Sequence, residues 1–568
     1  MNAEQSHAAR AIRSNTDSGT HPAGQGLFQG KDPGRTGCLG LVRGSLLQQR
    51  VHQVVLRARS ETGKMNSVRK ALVYTTADRY FGLAVNFGLT MAVSRLLTPS
   101  EIGISVTGSA IVGLALSLRE FSSTAFIVQR RNLSREDVRA AFTVMLALTS
   151  LISGGLLLFA PSIAHAYGED GLEPYLRLVS AAILIEVVAA PVLALMRREM
   201  AFGQVALVNI AIAVSSAATI VTLTVLGYSY MSFAVAWFVS AACGGILALA
   251  LRREFWFLKP LFSNWRGVIA FGYYSGLVAM LARMFDQIPY LVLGRFFSFD
   301  AAGLFNRTLS VAQLPDKIFL ASSISVVFSR FSSEARNGGN LKAHYLTALT
   351  YTTVVHWPAL GVLAIMARPI VTFIYGPQWL EIVPLVQIAA IAAFFSFSNA
   401  LNYNALMAVG AVRDAFLRSL IVWPICALLL LAAAPFGLRG MVLSLLLTIP
   451  FQALVSQLFI RRHINMTWVE FALALWKSAA VTVGSAVGPA AVTLACYPSR
   501  IGLAAAIVAA ALSALGWAAS IWLVRHPAIH ELAHAAEFFA QLFRRAVKPE
   551  RALPQAATQQ SAQGIGTK

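Results

Sequence analysis

Several charged side chains lie inside stretches that are otherwise apolar, and their types bound what this chain can do. Arg79 follows Asp78, Arg119 adjoins Glu120, and Glu186 stands mid-run. Arg283 and Asp286 are three residues apart, and Arg307 follows Asn306. A charge at the centre of a membrane-spanning helix costs about 2.5–3.5 kcal/mol on insertion scales, so each needs a reason. Two chemistries fit. In one, Arg283–Asp286 and Asp316–Lys317 are local ion pairs that hold helices in register, since residues three apart share a helix face. In the other, Arg79, Arg119, Arg283 and Arg307 line a cavity and grip an anion, with Asp286 in the same cavity. The planar guanidinium stays charged and donates paired hydrogen bonds suited to phosphate. Glu186 is then a counter-ion to one of these arginines, or else a cation or proton site. His356 is expected to be a packing histidine.

Other chemistries lack their residues. The four cysteines (Cys38, Cys243, Cys426 and Cys496) are isolated, with no CxxC pair or Cys/His cluster, so no disulfide framework or metal site is expected. There is no GxxxxGK[ST] phosphate loop, which excludes an ATP-driven mechanism encoded in this chain. No catalytic residue and no cofactor is expected, and the chain reads as a non-enzyme.

The elements that must position these charges are membrane helices. The 568 residues are 57% hydrophobic and only 12% charged, half the charged share of soluble domains, and mean hydropathy is +0.64. A bilayer core of about 30 Å needs roughly 20 apolar residues per helix. Such runs place fourteen spans near 76–97, 102–120, 139–160, 175–196, 204–226, 230–251 and 269–294, then 303–328, 346–367, 380–409, 414–434, 438–460, 471–496 and 501–524. The expected fold class is an all-α polytopic membrane protein. The loops between spans are too short for a catalytic domain, which argues against membrane glycosyltransferases, polymerases and ligases.

Net charge is +21, yet nucleic acid is not the expected partner. Nineteen Lys and Arg fall in alternate loops on one side, against seven, mostly singletons, on the other. By the positive-inside rule the nineteen mark the cytoplasmic face, so both termini are expected inside a bacterial inner membrane.

Within this layout the segment Arg95-Leu-Leu-Thr-Pro-Ser-Glu-Ile-Gly103 recurs as Arg295-Phe-Phe-Ser-Phe-Asp-Ala-Ala-Gly303. Each closes an apolar run with a basic residue, two large apolars, a hydroxyl, an acid, and glycine eight after the arginine. A second echo pairs Pro161-Ser-Ile-Ala-His-Ala-Tyr-Gly168 with Pro369-Ile-Val-Thr-Phe-Ile-Tyr-Gly376. Six spans separate the copies, an even number, so the halves share one orientation as parallel repeats. Arg95 and Arg295 are read as structural anchors at helix ends on the outer face.

The expected organisation is 65–260 for the first six-helix lobe, 261–462 for the second, 463–525 for two added spans, 526–548 for an amphipathic cytoplasmic helix and 549–568 for a disordered tail. Residues 1–64 are polar and basic, read either as a disordered extension or as sequence upstream of a true start at Met65. The 526–548 helix would lie on the anionic inner leaflet.

The order Val93-Ser-Arg-Leu-Leu-Thr-Pro-Ser-Glu-Ile-Gly103, Leu118-Arg-Glu-Phe-Ser-Ser-Thr-Ala-Phe-Ile-Val-Gln129, Asp286-Gln-Ile-Pro-Tyr-Leu-Val-Leu-Gly-Arg295, Ala302-Gly-Leu-Phe-Asn-Arg307 and Tyr375-Gly-Pro-Gln-Trp379 resembles the polysaccharide-transporter branch of the MOP flippase superfamily, close to colanic acid and succinoglycan exporters. Phe121-Ser-Ser departs from the Phe-Gly usual there. The resemblance covers residues 67–545. It implies a V-shaped pair of six-helix lobes carrying a lipid-linked oligosaccharide, on undecaprenyl diphosphate, between leaflets. It also implies contact with membrane lipids, and a polysaccharide polymerase and a chain-length regulator as partners. A lipid II or multidrug exporter of the same superfamily, or a membrane enzyme of glycan assembly, are the competing readings.

Overall fold

The computed structural model describes residues 73–121, 124–130, 132–261, 265–320, 331, 340–496 and 502–529. Expectations for residues 1–64, for the tail and for most of the 526–548 helix lie outside these. So do Ser122 and Ser123, where the sequence departs from the resembled pattern.

Every regular element among the described residues is helical. In chain order they are α1 (73–96), α2 (Pro99–Leu116), α3 (Ala125–Gln129), α4 (Arg135–Tyr167), α5 (Leu172–Arg198), α6 (Phe202–Val225), α7 (Met231–Leu251), α8 (Trp265–Phe296) and α9 (Phe299–Ala312). Then come α10 (Leu341–Ile365), α11 (Ala367–Tyr375), α12 (Val383–Ala392), α13 (Phe397–Ala408), α14 (Val412–Ala433), α15 (Gly437–Ile464), α16 (Trp468–Ala495) and α17 (Leu503–Leu523). Among the described residues, eleven helical segments are long and apolar enough to cross a membrane, one of them running through both α14 and α15.

Two expected spans differ from simple helices. The run expected at 303–328 is helical as α9 only to Ala312, and a π-helical turn follows at Asp316–Leu320. The run at 380–409 is broken at Ala393–Phe395 into α12 and α13. Trp357 Nε1 donates to the Phe394 carbonyl there (2.8 Å), taking up a backbone acceptor at the break, as non-helical backbone at membrane depth requires.

Local signals set the helix starts. Thr98 accepts from Glu101 N while the Glu101 carboxylate accepts from Thr98 N, a reciprocal cap on α2. Ser298 caps α9 by accepting from Ala301 N. The hydroxyl of the repeated segment is therefore the N-cap in both copies. Ser134–Asp137 and Thr467–Glu470 cap α4 and α16 in the same way. The second echo ends two helices: Gly168 and Gly376 both take positive φ (67° and 97°), the left-handed region that glycine enters without penalty.

Packing follows the duplication. In the N-terminal half, α5 lies against α4 and α7, and α6 against α7. In the C-terminal half, α14 lies against α8 and α15, and α12 against α15. α16 packs on α10 and α17. The halves meet along α2, which lies against both α8 and α9. In lipid, helices gain little from hiding apolar surface from one another, so small residues that allow close backbone approach drive such contacts.

Candidate functional site

The repeated segments form the seam between the halves. A methyl group built on Gly103 would lie 1.7 Å from the Phe299 carbonyl oxygen. One built on Gly303 would lie 2.1 Å from the Pro99 carbonyl oxygen and 3.1 Å from Gly103 N. Each copy's glycine thus packs against the other copy's helix start.

The second echo braces the same end crosswise. Arg95 Nη2 donates to the Phe373 carbonyl (2.6 Å) and Trp379 Nε1 to the Ser94 carbonyl (2.7 Å), tying the end of α1 to α11 and the turn after it. Gln378 Nε2 also donates to the Ser94 carbonyl. In the other direction Tyr167, at the end of α4, donates to the Leu291 carbonyl of α8 (3.4 Å). A buried cluster joins Val93, Leu97 and Ile102 of the first half to Leu304, Ile374, Tyr375 and Trp379 of the second. Arg295 lies over the Phe296 ring (5.7 Å).

Arg307 belongs to this seam rather than to an open cavity. It is only 6% exposed, with its guanidinium over the rings of Tyr375 (5.6 Å) and Trp379 (5.9 Å). The aromatic faces supply negative quadrupole to a cation that no carboxylate among the described residues pairs.

The remaining candidates lie farther along α2 and α8. Gly113 faces Gln287, 3.2 Å from where a Cβ would stand. Arg283 does not take Asp286, its near neighbour in sequence, as its ion-pair partner. Its Nε reaches Glu120 Oε1 at 2.9 Å, across the boundary between the halves. The pair is open: the side chains are 52% and 26% exposed. Asp286 is exposed one turn along α8. Arg119 Nη2 stands 3.4 Å from Glu186 Oε1, and Trp237 Nε1 donates to Glu186 Oε2 (3.1 Å). Arg79, on α1, is exposed beside Asp78, which accepts from Asn209 Nδ2 (2.8 Å). Arg119, Arg283, Glu186 and Glu120 thus lie around one end of α2 as two ion pairs, whose cations a stronger anion could take over.

His356 is fully buried and its Nε2 is bonded to Asp316, which also accepts from Ser396 (3.2 Å). The partner of Asp316 is therefore His356 of α10, although Lys317 adjoins it in sequence. Among the described residues no group of three or more His, Cys, Asp or Glu could hold a metal ion.

Sequence reasoning missed a second polar region. Arg418 of α14 is 5% exposed, donating from Nε to Ser456 Oγ (2.7 Å) and from Nη2 to Asn399 Oδ1 (3.2 Å). Counting it as a loop charge hid it. Its place inside the apolar run 414–434 was the available signal.

Comparison with known proteins gives the following. A family model described as "polysaccharide biosynthesis protein" matches residues 92–384. The succinoglycan biosynthesis transport protein ExoT of Rhizobium meliloti is 23% identical over 316 residues, 55% of this chain and 63% of that protein. That match spans less than two thirds of the relative's length. The lipopolysaccharide biosynthesis protein WzxC of Escherichia coli K12 is 20% identical over 405 residues, 69% of this chain and 81% of that protein. Among solved structures, the lipid II flippase MurJ in an inward closed conformation superposes with a TM-score of 0.65 at 12% identity, covering 80% of this chain and 98% of its own. An inward-facing multidrug MATE transporter of the MOP superfamily gives 0.54 at 14% identity, covering 70% and 98%. These likenesses show a shared MOP-type helical fold.

Proposed function

Because this chain belongs to the polysaccharide biosynthesis protein family, whose model spans residues 92–384, we propose that it is a flippase. Its substrate is an oligosaccharide repeat unit linked to undecaprenyl diphosphate, moved from the cytoplasmic to the outer leaflet of a bacterial inner membrane. The named roles of the relatives, succinoglycan transport and lipopolysaccharide biosynthesis, support that substrate class.

One observation carries the mechanism: the two ends of the α2 interface are built differently. At one end the halves are locked by glycine backbones and crossed hydrogen bonds. Farther along, the contact is the half-exposed ion pair Arg283–Glu120. If the positive-inside count sets the orientation, the locked end is outer and the ion pair lies toward the cytoplasm. A diphosphate entering there competes with Glu120 and Glu186 for Arg283 and Arg119. It offers more charge and the same fork geometry. Releasing Glu120 frees the halves to part and re-close.

The physics suits the task. A glycan cannot cross hydrocarbon unaided, because each unpaired polar group costs several kcal/mol. A cavity open to one side at a time removes that barrier while the polyprenyl tail stays in lipid. With the interior negative, moving the diphosphate outward is downhill by roughly 2.3 kcal/mol per charge per 100 mV, so the potential alone can bias the cycle. The MurJ-like fold makes lipid II the competing cargo.

Deletion in the native host tests the reading. Undecaprenyl-linked completed repeat units should accumulate on the cytoplasmic side, and polymer should vanish. Secretion of single unpolymerised units would point instead to a polymerase. Accumulation of lipid II with repeat units unchanged would assign the other cargo.

A further inference from the structure

Arg418 is a buried cation with no counter-charge. It makes no ion pair with any described residue, and its hydrogen bonds go to neutral oxygens: Ser456 Oγ and Asn399 Oδ1. Ser456 Oγ in turn donates to the Gln452 carbonyl, and Asn399 Nδ2 donates to Gln452 Oε1 (3.3 Å). Among the described residues, the hydrogen bonds of this guanidinium thus all go to neutral oxygens.

A cavity of about 470 Å³ adjoins this group, lined by Ala282 of α8, Asn399 and Tyr403 of α13, Arg418 and Trp423 of α14, and Gln452 of α15. A donor in its wall is unanswered: Trp423 Nε1 is buried without a hydrogen-bond partner. A buried donor without an acceptor costs about 1–3 kcal/mol, and an unpaired buried charge more. Two such costs at one cavity are relieved by a single ligand that accepts hydrogen bonds and carries negative charge.

We infer that this cavity is an anion-binding site, separate from the ion-paired arginines at the end of α2, and that its ligand is a carboxylate borne on a sugar-sized molecule. The charge follows from Arg418, and the hydrogen-bond polarity from Trp423 Nε1. The size follows from the volume, which falls in the range of about 300–1,000 Å³ typical of organic-ligand pockets and far exceeds a halide. An acidic sugar, free or borne on a carried glycan, meets all three requirements. The inference stands on the cavity itself and not on the transport reading.

Isothermal titration of the full-length protein in detergent, with sodium glucuronate, glucose and sodium chloride, tests it. Glucuronate should bind saturably and glucose should not. Arg418→Gln should weaken glucuronate at least tenfold, and Trp423→Phe, which removes the N–H together with part of the indole, several-fold. Arg177→Gln, at an exposed pair with Glu173, is the control. Chloride competing at equal or greater affinity, with the same loss in Arg418→Gln, would overturn the sugar carboxylate and leave a small-ion site only. Absence of saturable binding by either anion in the unaltered protein overturns the inference, as does binding that survives both Arg418→Gln and Trp423→Phe. A negative result leaves the deletion phenotype intact, so the two readings fail separately.

Discussion

Gly103 and Gly303, 200 positions apart in sequence, meet backbone to backbone: a Cβ on Gly303 would stand 3.1 Å from Gly103 N. The same position in each copy of a duplicated segment has become the same contact seen from both sides, as in a two-fold interface.

Gly103→Ala should therefore be severe, because its methyl would enter the Phe299 carbonyl at 1.7 Å. Overpacking typically costs about 1–3 kcal/mol, and here the obstacle is backbone that no rotamer change moves. A lowered detergent melting temperature and lost transport are expected. Gly154→Ala, with nothing within 4 Å, should be neutral or stabilising by up to about 1 kcal/mol. Equal behaviour of the two variants would dissolve the seam argument.

Arg283→Glu and Glu120→Arg reverse the 2.9 Å pair between the halves. Each alone places like charges together and should reduce flipping about tenfold or more. The double reversal should recover closure of the halves, measured by cysteine cross-linking between α2 and α8. It should not recover transport if Arg283 also meets the diphosphate. Full recovery of transport would make the pair structural only.

Trp379→Phe keeps an aromatic ring but removes the N–H bonded to the Ser94 carbonyl (2.7 Å) together with part of the indole. The loss should be at least about 1 kcal/mol for the hydrogen bond, with a cavity cost added at this fully buried position, expressed at the locked end. A cysteine at Leu97, 3% exposed, should become more reactive to a membrane-impermeant thiol reagent. Unchanged reactivity would show that Gln378 suffices.

His526, just past α17, gives a pH dependence. Burial, with the charge of nearby Lys477, holds its pKa down from 6.5 to about 4. Its Nδ1 accepts from Ala528 N (3.1 Å) and its Nε2 faces Ser478 Oγ (3.4 Å), so the neutral ring is the one that fits. Between these pKa values the unfolded chain binds the extra proton, and stability therefore rises with pH across pH 4–6.5 and is flat above. Acidification from pH 7 to 5 should cost about 2 kcal/mol at the α16–α17 junction. His526→Asn should flatten the profile. A profile unchanged by that substitution would place the titration elsewhere.

Much of this was legible in the sequence, for identifiable reasons. Apolar run length located the helices, because that signal is local; the hydroxyl of each repeated segment stood out as part of the repeat, and the structure makes it an N-cap. The pairing of charges was not legible. Arg283 has an acid three residues away, yet it bonds to Glu120, 163 positions distant, and Asp316 passes over adjacent Lys317 for His356. Which carboxylate wins is decided by helix rotation and by packing between helices, which no spacing rule encodes. Arg307 and Arg418 illustrate the same limit: one is covered by aromatic rings, the other by amides and hydroxyls, all brought from other helices.

The crossed brace also dictates an order of assembly. Ser94 and Arg95 enter the membrane with α1, but their partners Trp379 and Phe373 lie 285 and 278 residues downstream. At about 5–20 residues per second of synthesis, they follow after an interval on the order of 15–60 s. Throughout that time the first helix sits in lipid with its anchoring carbonyl and guanidinium unanswered. The brace between the halves therefore closes only once α11 and the turn after it have been made.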